Sequence, residues 1–236
     1  MVENRAGARP PLSLVTAGQT AEVLGLVERP AALLTSAEQT RAAAFRRAGD
    51  RDDFVAAHVL ARICAGQRLG VDPAALTVVQ HCATCGGPHG QPSLREAPDL
   101  AISLAHTRGQ VAAAAGAGRV GVDIEALTAE PLDDGLVAMA LTDGEAAEVR
   151  AAALPRHAFL RYWVAKESLV KVGVATLDEL RGIDLAGRFT AAGDAVVASH
   201  AGLRMALWSD ADTLVGYAGT EAAEYVPARS LTAAPA

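Results

Sequence analysis

The chain has 236 residues, of which 51% are hydrophobic and only 4% aromatic, so its core must be built mainly from Ala, Val and Leu. That composition excludes a disordered chain, and no apolar run reaches the roughly 18 residues of a membrane span. The formal charge of −6 argues against non-specific nucleic-acid binding, which needs a basic face. The opening residues lack the apolar stretch of a secretory signal. We therefore expect a soluble, cytoplasmic globular protein that binds neither nucleic acid nor membrane.

The first half of the chain predicts helices followed by strands. Apolar residues recur at the helical period after Asp50, and Gly70 and Pro73 are typical of the end of such a helix. The predicted elements of this half are a strand at residues 12–15, helices at 36–47 and 50–69, and strands at 76–80, 100–105 and 111–115.

The second half repeats that order. Thr142 and Glu145 have the spacing of a capping box, which marks the start of a helix. The predicted elements are a strand at 119–125, helices at 136–140, 146–153 and 156–172, and strands at 183–185, 196–199, 203–208 and 213–217. The repeated order predicts an α+β fold of two similar halves, residues 1–117 and 118–221, followed by a flexible tail at 222–236.

Two acids alternate along the predicted strand at residues 119–125. Alternate residues of a strand share a face, so Asp123 and Glu125 should point together, away from Val122 and Ile124. Neighbouring carboxylates repel each other unless a cation lies between them, and Mg2+ prefers carboxylate oxygens. The pair therefore indicates a metal site, although a solvated strand face with two unpaired acids would show the same pattern.

The predicted helix at residues 156–172 carries a second polar pattern. Trp163, Glu167 and Lys171 follow one another at four-residue intervals and therefore lie on one face. Of the 21 basic residues, only Lys166 and Lys171 are lysines, which favours a site that needs a compact ammonium. A surface ion pair explains the Glu167–Lys171 spacing on its own. Taken with the upstream acids, however, three carboxylates and one ammonium indicate a site for a metal ion and phosphate.

These motifs resemble those of the 4′-phosphopantetheinyl transferases. The sequence GVDIE at residues 121–125 is followed about forty residues later by W-x-x-K-E-S-x-x-K, and a G-x-P loop and a strand ending near His106 precede both. The resemblance extends from Arg41 to Gly173 and is closest to the larger, Sfp-type subfamily. It implies a pseudo-dimeric fold of two similar halves, with the active site at the interface between them, in an enzyme of the holo-acyl-carrier-protein synthase type.

The resemblance also implies the reaction and its residues. The phosphopantetheine arm of coenzyme A would be transferred to a serine of an acyl or peptidyl carrier protein, with release of 3′,5′-ADP. Asp123, Glu125 and Glu167 would hold Mg2+, and Glu167 would activate the serine. Lys171 would contact the pyrophosphate and stabilise the charge that develops on the leaving group. Because both halves lie in one chain, a monomer would be sufficient.

Further residues are implied in coenzyme A binding, with His106 as the contact to the 3′-phosphate and arginines assisting it. The set is Arg41, Arg47, Arg51, Gly90, Gln91, Pro92, Ala105 and His106, together with Lys171. Two positions depart from the family pattern, because Gln91 stands where Lys is frequent and Ala105 stands where Ser usually precedes the histidine. These departures predict a change in affinity for coenzyme A rather than in reaction type.

Other functions fit parts of the pattern. The same acids could serve a Mg2+-dependent phosphohydrolase, which would release products without a carrier protein. The departures at Gln91 and Ala105 could also belong to a weakened or non-catalytic relative that binds a carrier protein.

A separate motif lies in the loop before Gly90. Cys82 and Cys85, flanked by His81 and His89, have the spacing of a zinc-ligand pair. Zinc sites usually recruit a second pair from a distant segment, however, and all four groups here fall within nine residues, so the pattern favours a tight loop with two reduced thiols over a zinc site.

Overall fold

The computed structural model describes residues 12–81, 86–87, 90–128, 130–210 and 212–232. Within these ranges the helices are α1 (Thr20–Gly25), α2 (Ser36–Ala44), α3 (Ala48–Leu69), α4 (Asp134–Ala140), α5 (Asp143–Ala151) and α6 (Pro155–Lys171). The strands in the same ranges are β1 (Ser13–Gln19), β2 (Val78–Gln80), β3 (Pro92–Leu94), β4 (Leu100–Thr107), β5 (Gln110–Ala117), β6 (Val120–Ala126), β7 (Thr190–Ala192), β8 (Ala195–His200), β9 (Leu203–Asp210), β10 (Thr213–Gly219) and β11 (Ala223–Tyr225). The predicted α+β class is confirmed.

Local capping explains where several helices begin and end. α2 and α5 both open with capping boxes, in which the hydroxyls of Thr35 and Thr142 accept from the backbone N–H groups of Glu38 and Glu145 at 3.3 Å. α3 ends at Gly70, whose φ of +68° lies in the left-handed region that favours glycine. The capping box predicted at Thr142 is therefore confirmed.

Two main sheets carry most of the strands. The first has the order β11-β1-β5-β4, and the second has the order β6-β10-β9-β8-β7. In the first sheet, β1 precedes the helices and pairs antiparallel with β5, the second strand of the β4–β5 hairpin. In the second sheet, β6 precedes the helices and pairs antiparallel with β10, the second strand of the β9–β10 hairpin. β2 and β3 form a small separate ribbon.

The core lies in three layers of side chains. One buried cluster lies between α3 and the first sheet, and a second lies between α6 with its neighbouring helices and the second sheet. A third cluster comes from both sheets and includes Ala112, Ala114, Val122, Val215 and Tyr217. Each sheet therefore has helices on one face and the other sheet on the opposite face. The short alanine side chains of β5 allow the two sheets to approach closely.

Two of the predicted elements differ from the structure. Residues 183–185 were predicted as a strand, but the described chain there follows a 3-10 helix at Leu177–Gly182 and forms no strand. The predicted flexible tail is also wrong over residues 222–232, because β11 pairs in parallel with β1 and Ala228 is fully buried in the first core. Small residues carry little periodic signal, so the sequence did not show that this segment completes the first sheet. 

Two expectations from the sequence concern membrane spans and the cysteine loop. No described helix has the length and apolar character needed to cross a membrane. Cys82, Cys85 and His89 lie outside the described residues, so zinc binding by that loop stays a prediction.

Candidate active site between β6 and α6

Two glycines allow α6 to lie directly on the second sheet. A Cβ atom at Gly121 of β6 would stand only 2.2 Å from the backbone oxygen of Ser168. A Cβ atom at Gly216 of β10 would stand 2.4 Å from Cγ1 of Val164. Any larger side chain would push the helix outward, so these glycines bring the polar face of α6 next to β6.

The side chains of β6 alternate between the core and α6, as the sequence predicts. Val122 and Ile124 are buried in the core between the sheets, whereas Gly121 faces α6. Asp123 and Glu125 share the face of Gly121 and so point towards α6. Asp123 is only 8% exposed, which places one carboxylate of the pair almost entirely inside the protein.

An ion pair joins the strand motif to the helix motif. The Lys171 ammonium donates to Oδ1 of Asp123 at 2.8 Å. The second carboxylate oxygen of Asp123, Oδ2, is buried and has no hydrogen-bond partner in the described part of the chain. Burial raises the pKa of Asp123, while the Lys171 charge acts in the opposite direction. Residues from two segments that are 48 positions apart therefore meet at one place.

The charge of Asp123 acts on both Glu125 and Glu167. Burial raises the pKa of Glu125, and the Asp123 carboxylate raises it further, against a hydrogen bond from the Thr107 hydroxyl at 3.3 Å. Burial and the charge of Asp123 raise the pKa of Glu167 to about 6, while Lys171 opposes the shift. The charge of Asp123 therefore raises the pKa of the other two acids.

Asp123, Glu125 and Glu167 do not form a closed metal site in this conformation. Within the described ranges, no three His, Cys, Asp or Glu side chains lie close enough together to hold a metal ion in the conformation seen. The donor chemistry nevertheless suits a hard divalent cation, since Asp123 Oδ2 is a buried carboxylate oxygen without a partner in the described part of the chain and the Asp123 charge raises the pKa of both Glu125 and Glu167. Coordination by all three would require Glu125 and Glu167 to turn their side chains towards Asp123.

The two lysines have different environments. Lys166 is fully buried, and its ammonium donates to Oε2 of Glu145 at 2.6 Å and to the backbone oxygens of Ala140 and Leu180 at 2.7 and 3.0 Å. It therefore holds α6 to the segments around it and does not reach the site. The compact ammonium at the candidate site belongs to Lys171.

A cavity of about 390 Å3 lies beside Lys171. Three of its lining residues, Gly90, Gln91 and Pro92, form the G-x-P loop, and the others are Gln80, Ser103, Leu104, Val170 and Gly173. The structure therefore brings the loop to the same place as Lys171. Ser103 also links the two sheets, because its hydroxyl accepts from the backbone N–H of Val122 at 3.1 Å.

The predicted coenzyme A residues of β4 lie on opposite faces. His106 has an exposed side chain near the end of the strand, and partial burial lowers its pKa. The charges of Asp53 and Lys171 also act on it, in opposite directions. The Ala105 side chain is instead buried in the core between the sheets, so a contact between this side chain and coenzyme A does not fit the structure.

The three arginines predicted to assist His106 are spread over two helices. The Arg41 guanidinium lies over the Phe54 ring, 5.1 Å from its centroid, and donates to Oε1 of Gln80 at 3.1 Å. Arg47 is exposed just before α3, and Arg51 is exposed in an ion pair with its neighbour in sequence. Of the three, Arg41 is the one bonded to a residue that lines the cavity. Sequence reasoning missed that residue, Gln80, because a single glutamine at the end of a strand belongs to no motif.

The comparison with protein families bears on this site. Residues 119–211 match the 4′-phosphopantetheinyl transferase superfamily. The matched stretch contains β6 and α6, and with them Asp123, Glu125, Glu167 and Lys171. The match covers less than half of the chain and suggests phosphopantetheinyl transfer in general. No match was found among curated proteins.

Proposed function

We propose that this chain transfers the 4′-phosphopantetheine arm of coenzyme A to a serine of an acyl or peptidyl carrier protein and releases 3′,5′-ADP. The observation that carries the proposal is the ion pair between Asp123 and Lys171 beside the cavity of the G-x-P loop. It joins the acid pair of β6, the polar face of α6 and a loop from the first half of the chain at one site. The superfamily match over residues 119–211 supports the same reaction.

The residues have separate roles in this proposal. Asp123, Glu125 and Glu167 would hold Mg2+, which would supply positive charge to the coenzyme A pyrophosphate. The Glu167 carboxylate would act as the general base that accepts the proton of the carrier serine, directly or through a water molecule. Lys171 would move from Asp123 to an oxygen of the pyrophosphate and stabilise the leaving group.

The proposed transfer exchanges one phosphorus–oxygen bond for another. The serine oxygen forms a bond to the phosphorus that carries the pantetheine arm, and the bond from that phosphorus to the bridging oxygen of the pyrophosphate breaks. The electron pair of that bond leaves with 3′,5′-ADP, and the serine proton passes to Glu167. Orientation of the two reactants and neutralisation of charge are the main contributions that a site of this kind can make.

The finer assignments belong to the same proposal. Both main sheets contain an antiparallel three-strand unit, β1-β5-β4 in one and β6-β10-β9 in the other, and each is covered by a long helix, which supports two similar halves with the active site between them, as in the Sfp-type subfamily. Such a chain would act as a monomer in the cytoplasm, as a holo-acyl-carrier-protein synthase. Coenzyme A would lie along the loop at Gly90–Pro92, with His106 and Arg41 near its 3′-phosphate.

Intact-mass analysis of a carrier protein tests the proposal directly. Incubation with the full chain, coenzyme A and Mg2+ should add about 340 Da, the mass of the phosphopantetheine group that coenzyme A carries. Asp123→Asn and Glu167→Gln should abolish the gain, whereas Glu28→Gln, which removes an exposed acid far from the motifs, should not.

The same assay separates the other functions. Release of 3′,5′-ADP from coenzyme A without a carrier protein would indicate a phosphohydrolase. Binding of the carrier protein with no mass gain in the wild-type chain would indicate a non-catalytic relative. Near-normal turnover of Asp123→Asn would contradict the assigned site.

A further inference from the structure

Gln80 lies between two neighbouring cavities. It is the last residue of β2 and lines the cavity of about 390 Å3 that also contains Lys171. It lines a second cavity as well, of about 220 Å3, whose charged lining residues are Glu38, Arg41 and Arg95. A ligand that extends from Lys171 into the second cavity would pass along this side chain.

The side-chain amide of Gln80 makes one hydrogen bond through its oxygen and another through its nitrogen. Its Oε1 accepts from Nη1 of Arg41 at 3.1 Å, and its Nε2 donates to the backbone oxygen of Gly90 at 2.9 Å. Gly90 has a φ of +107°, in the region that favours glycine, so the loop at this point has a backbone shape that few other residues adopt. One side chain thus connects a cation on α2 to the start of the G-x-P loop.

The elements that carry Gln80 and Arg41 are fixed to each other beneath the surface. The Arg62 side chain is fully buried in α3 and donates to Oε2 of Glu38 at 2.6 Å and to the backbone oxygen of Leu76 at 3.2 Å. Glu38 lies on α2 with Arg41, and Leu76 leads into β2. The same buried guanidinium therefore sets the spacing of the two partners.

We propose that Gln80 is a positioning residue that holds the Arg41 guanidinium and the Gly90 backbone in place for the phosphate groups of coenzyme A. The inference rests on the proposed function. Arginine has many rotamers, and ordering such a side chain only when a ligand arrives weakens binding. The hydrogen bond to Gln80, with the Phe54 ring beneath Arg41, orders the guanidinium beforehand.

Calorimetric binding of coenzyme A to the full chain tests this role. Gln80→Leu removes both hydrogen bonds and should raise the dissociation constant about three- to tenfold, the usual effect of losing such bonds. The kcat for carrier modification at saturating coenzyme A should change less than about twofold, since Gln80 does not touch the reacting atoms. Gln39→Leu is a matched control, because Gln39 lies on α2 like Arg41 and, within the described residues, its side chain donates to the backbone oxygens of Ala31 and Leu34, which do not line the cavity of Lys171.

A second pair of variants distinguishes positioning from general loosening. In an Arg41→Ala background, Gln80→Leu should have a clearly smaller further effect than in the wild-type chain, because only the hydrogen bond to Gly90 remains to be lost. Gln80→Glu keeps an acceptor for Arg41 but loses the donor to Gly90 and adds a negative charge, so it should weaken binding more than Gln80→Leu. Thermal unfolding of each variant shows whether the fold is retained.

Each outcome decides between the two proposals. Suppose that the wild-type chain binds coenzyme A. The role of Gln80 is then refuted, and the proposed function stands, if the Gln80→Leu variant binds coenzyme A equally well. The same holds if Gln80→Leu weakens binding by the same factor with and without Arg41. If the wild-type chain neither binds coenzyme A nor modifies a carrier protein, both proposals fail together. A loss confined to the dissociation constant and dependent on Arg41 supports the positioning role.

Discussion

The only two lysines of the chain provide a sharp test, because one is structural and the other belongs to the candidate site. Lys166→Met removes a fully buried ammonium that satisfies the Glu145 carboxylate and two backbone oxygens. Glu145 is itself fully buried, so its charge would lose its counter-ion inside the core. Removing one partner of a buried ion pair costs about 3–5 kcal/mol of unfolding free energy. That is a large part of the roughly 5–15 kcal/mol that holds a typical domain together.

Lys171→Met should behave in the opposite way. The Lys171 side chain is 28% exposed, and its partner Asp123 has a raised pKa and can take up a proton when the ammonium is lost, so the loss of unfolding free energy should be smaller than that of Lys166→Met. Carrier modification should fall by about 100-fold or more, because the positive charge that faces the leaving group is gone. The two variants therefore separate stability from activity on a single helix.

Urea unfolding followed by tryptophan fluorescence measures the first quantity, and the mass assay measures the second. The double variant Lys166→Met with Glu145→Gln should recover part of the lost stability, since it removes the uncompensated charge. The reasoning is refuted if Lys171→Met destabilises the chain more than Lys166→Met does. It is equally refuted if Lys171→Met retains near-normal transfer.

Three more predictions follow from packing and charge. Burial lowers the pKa of His58, so below about pH 6.5 the unfolded chain binds a proton more readily than the folded chain, and the free energy of unfolding should fall as the pH drops. In a plot of the urea midpoint against pH, His58→Gln should flatten that part of the curve. Gly121→Ala should lower the free energy of unfolding by about 1–3 kcal/mol and reduce carrier modification, because the added methyl group moves α6 away from β6. Gly49→Ala, which has open space around it, should leave carrier modification unchanged and leave stability unchanged or slightly higher. Ending the chain after residue 222 removes β11 from its place beside β1 and should lower the melting temperature by at least about 4 °C, while an unchanged melting temperature would contradict the assigned packing.

Much of the candidate site follows from local geometry, which the sequence alone contains. Alternation along β6 predicts that Asp123 and Glu125 share a face, and four-residue spacing on α6 predicts that Glu167 and Lys171 do so too. These directions depend only on the backbone of one element, so the residues themselves are sufficient to predict them. The helix that begins after Thr142 follows in the same way from its capping box.

The tertiary structure decided which of these faces meet. The spacing placed Lys171 on the face of Glu167, but the sequence could not show that Lys166 is buried in an ion pair with Glu145, because burial depends on what packs against the helix. The place of Gln80 between two cavities and the pairing of residues 223–225 with β1 likewise depend on contacts between distant segments. Local pattern sets the direction of a side chain, whereas its partner is set by non-local packing, and only the folded chain contains that information.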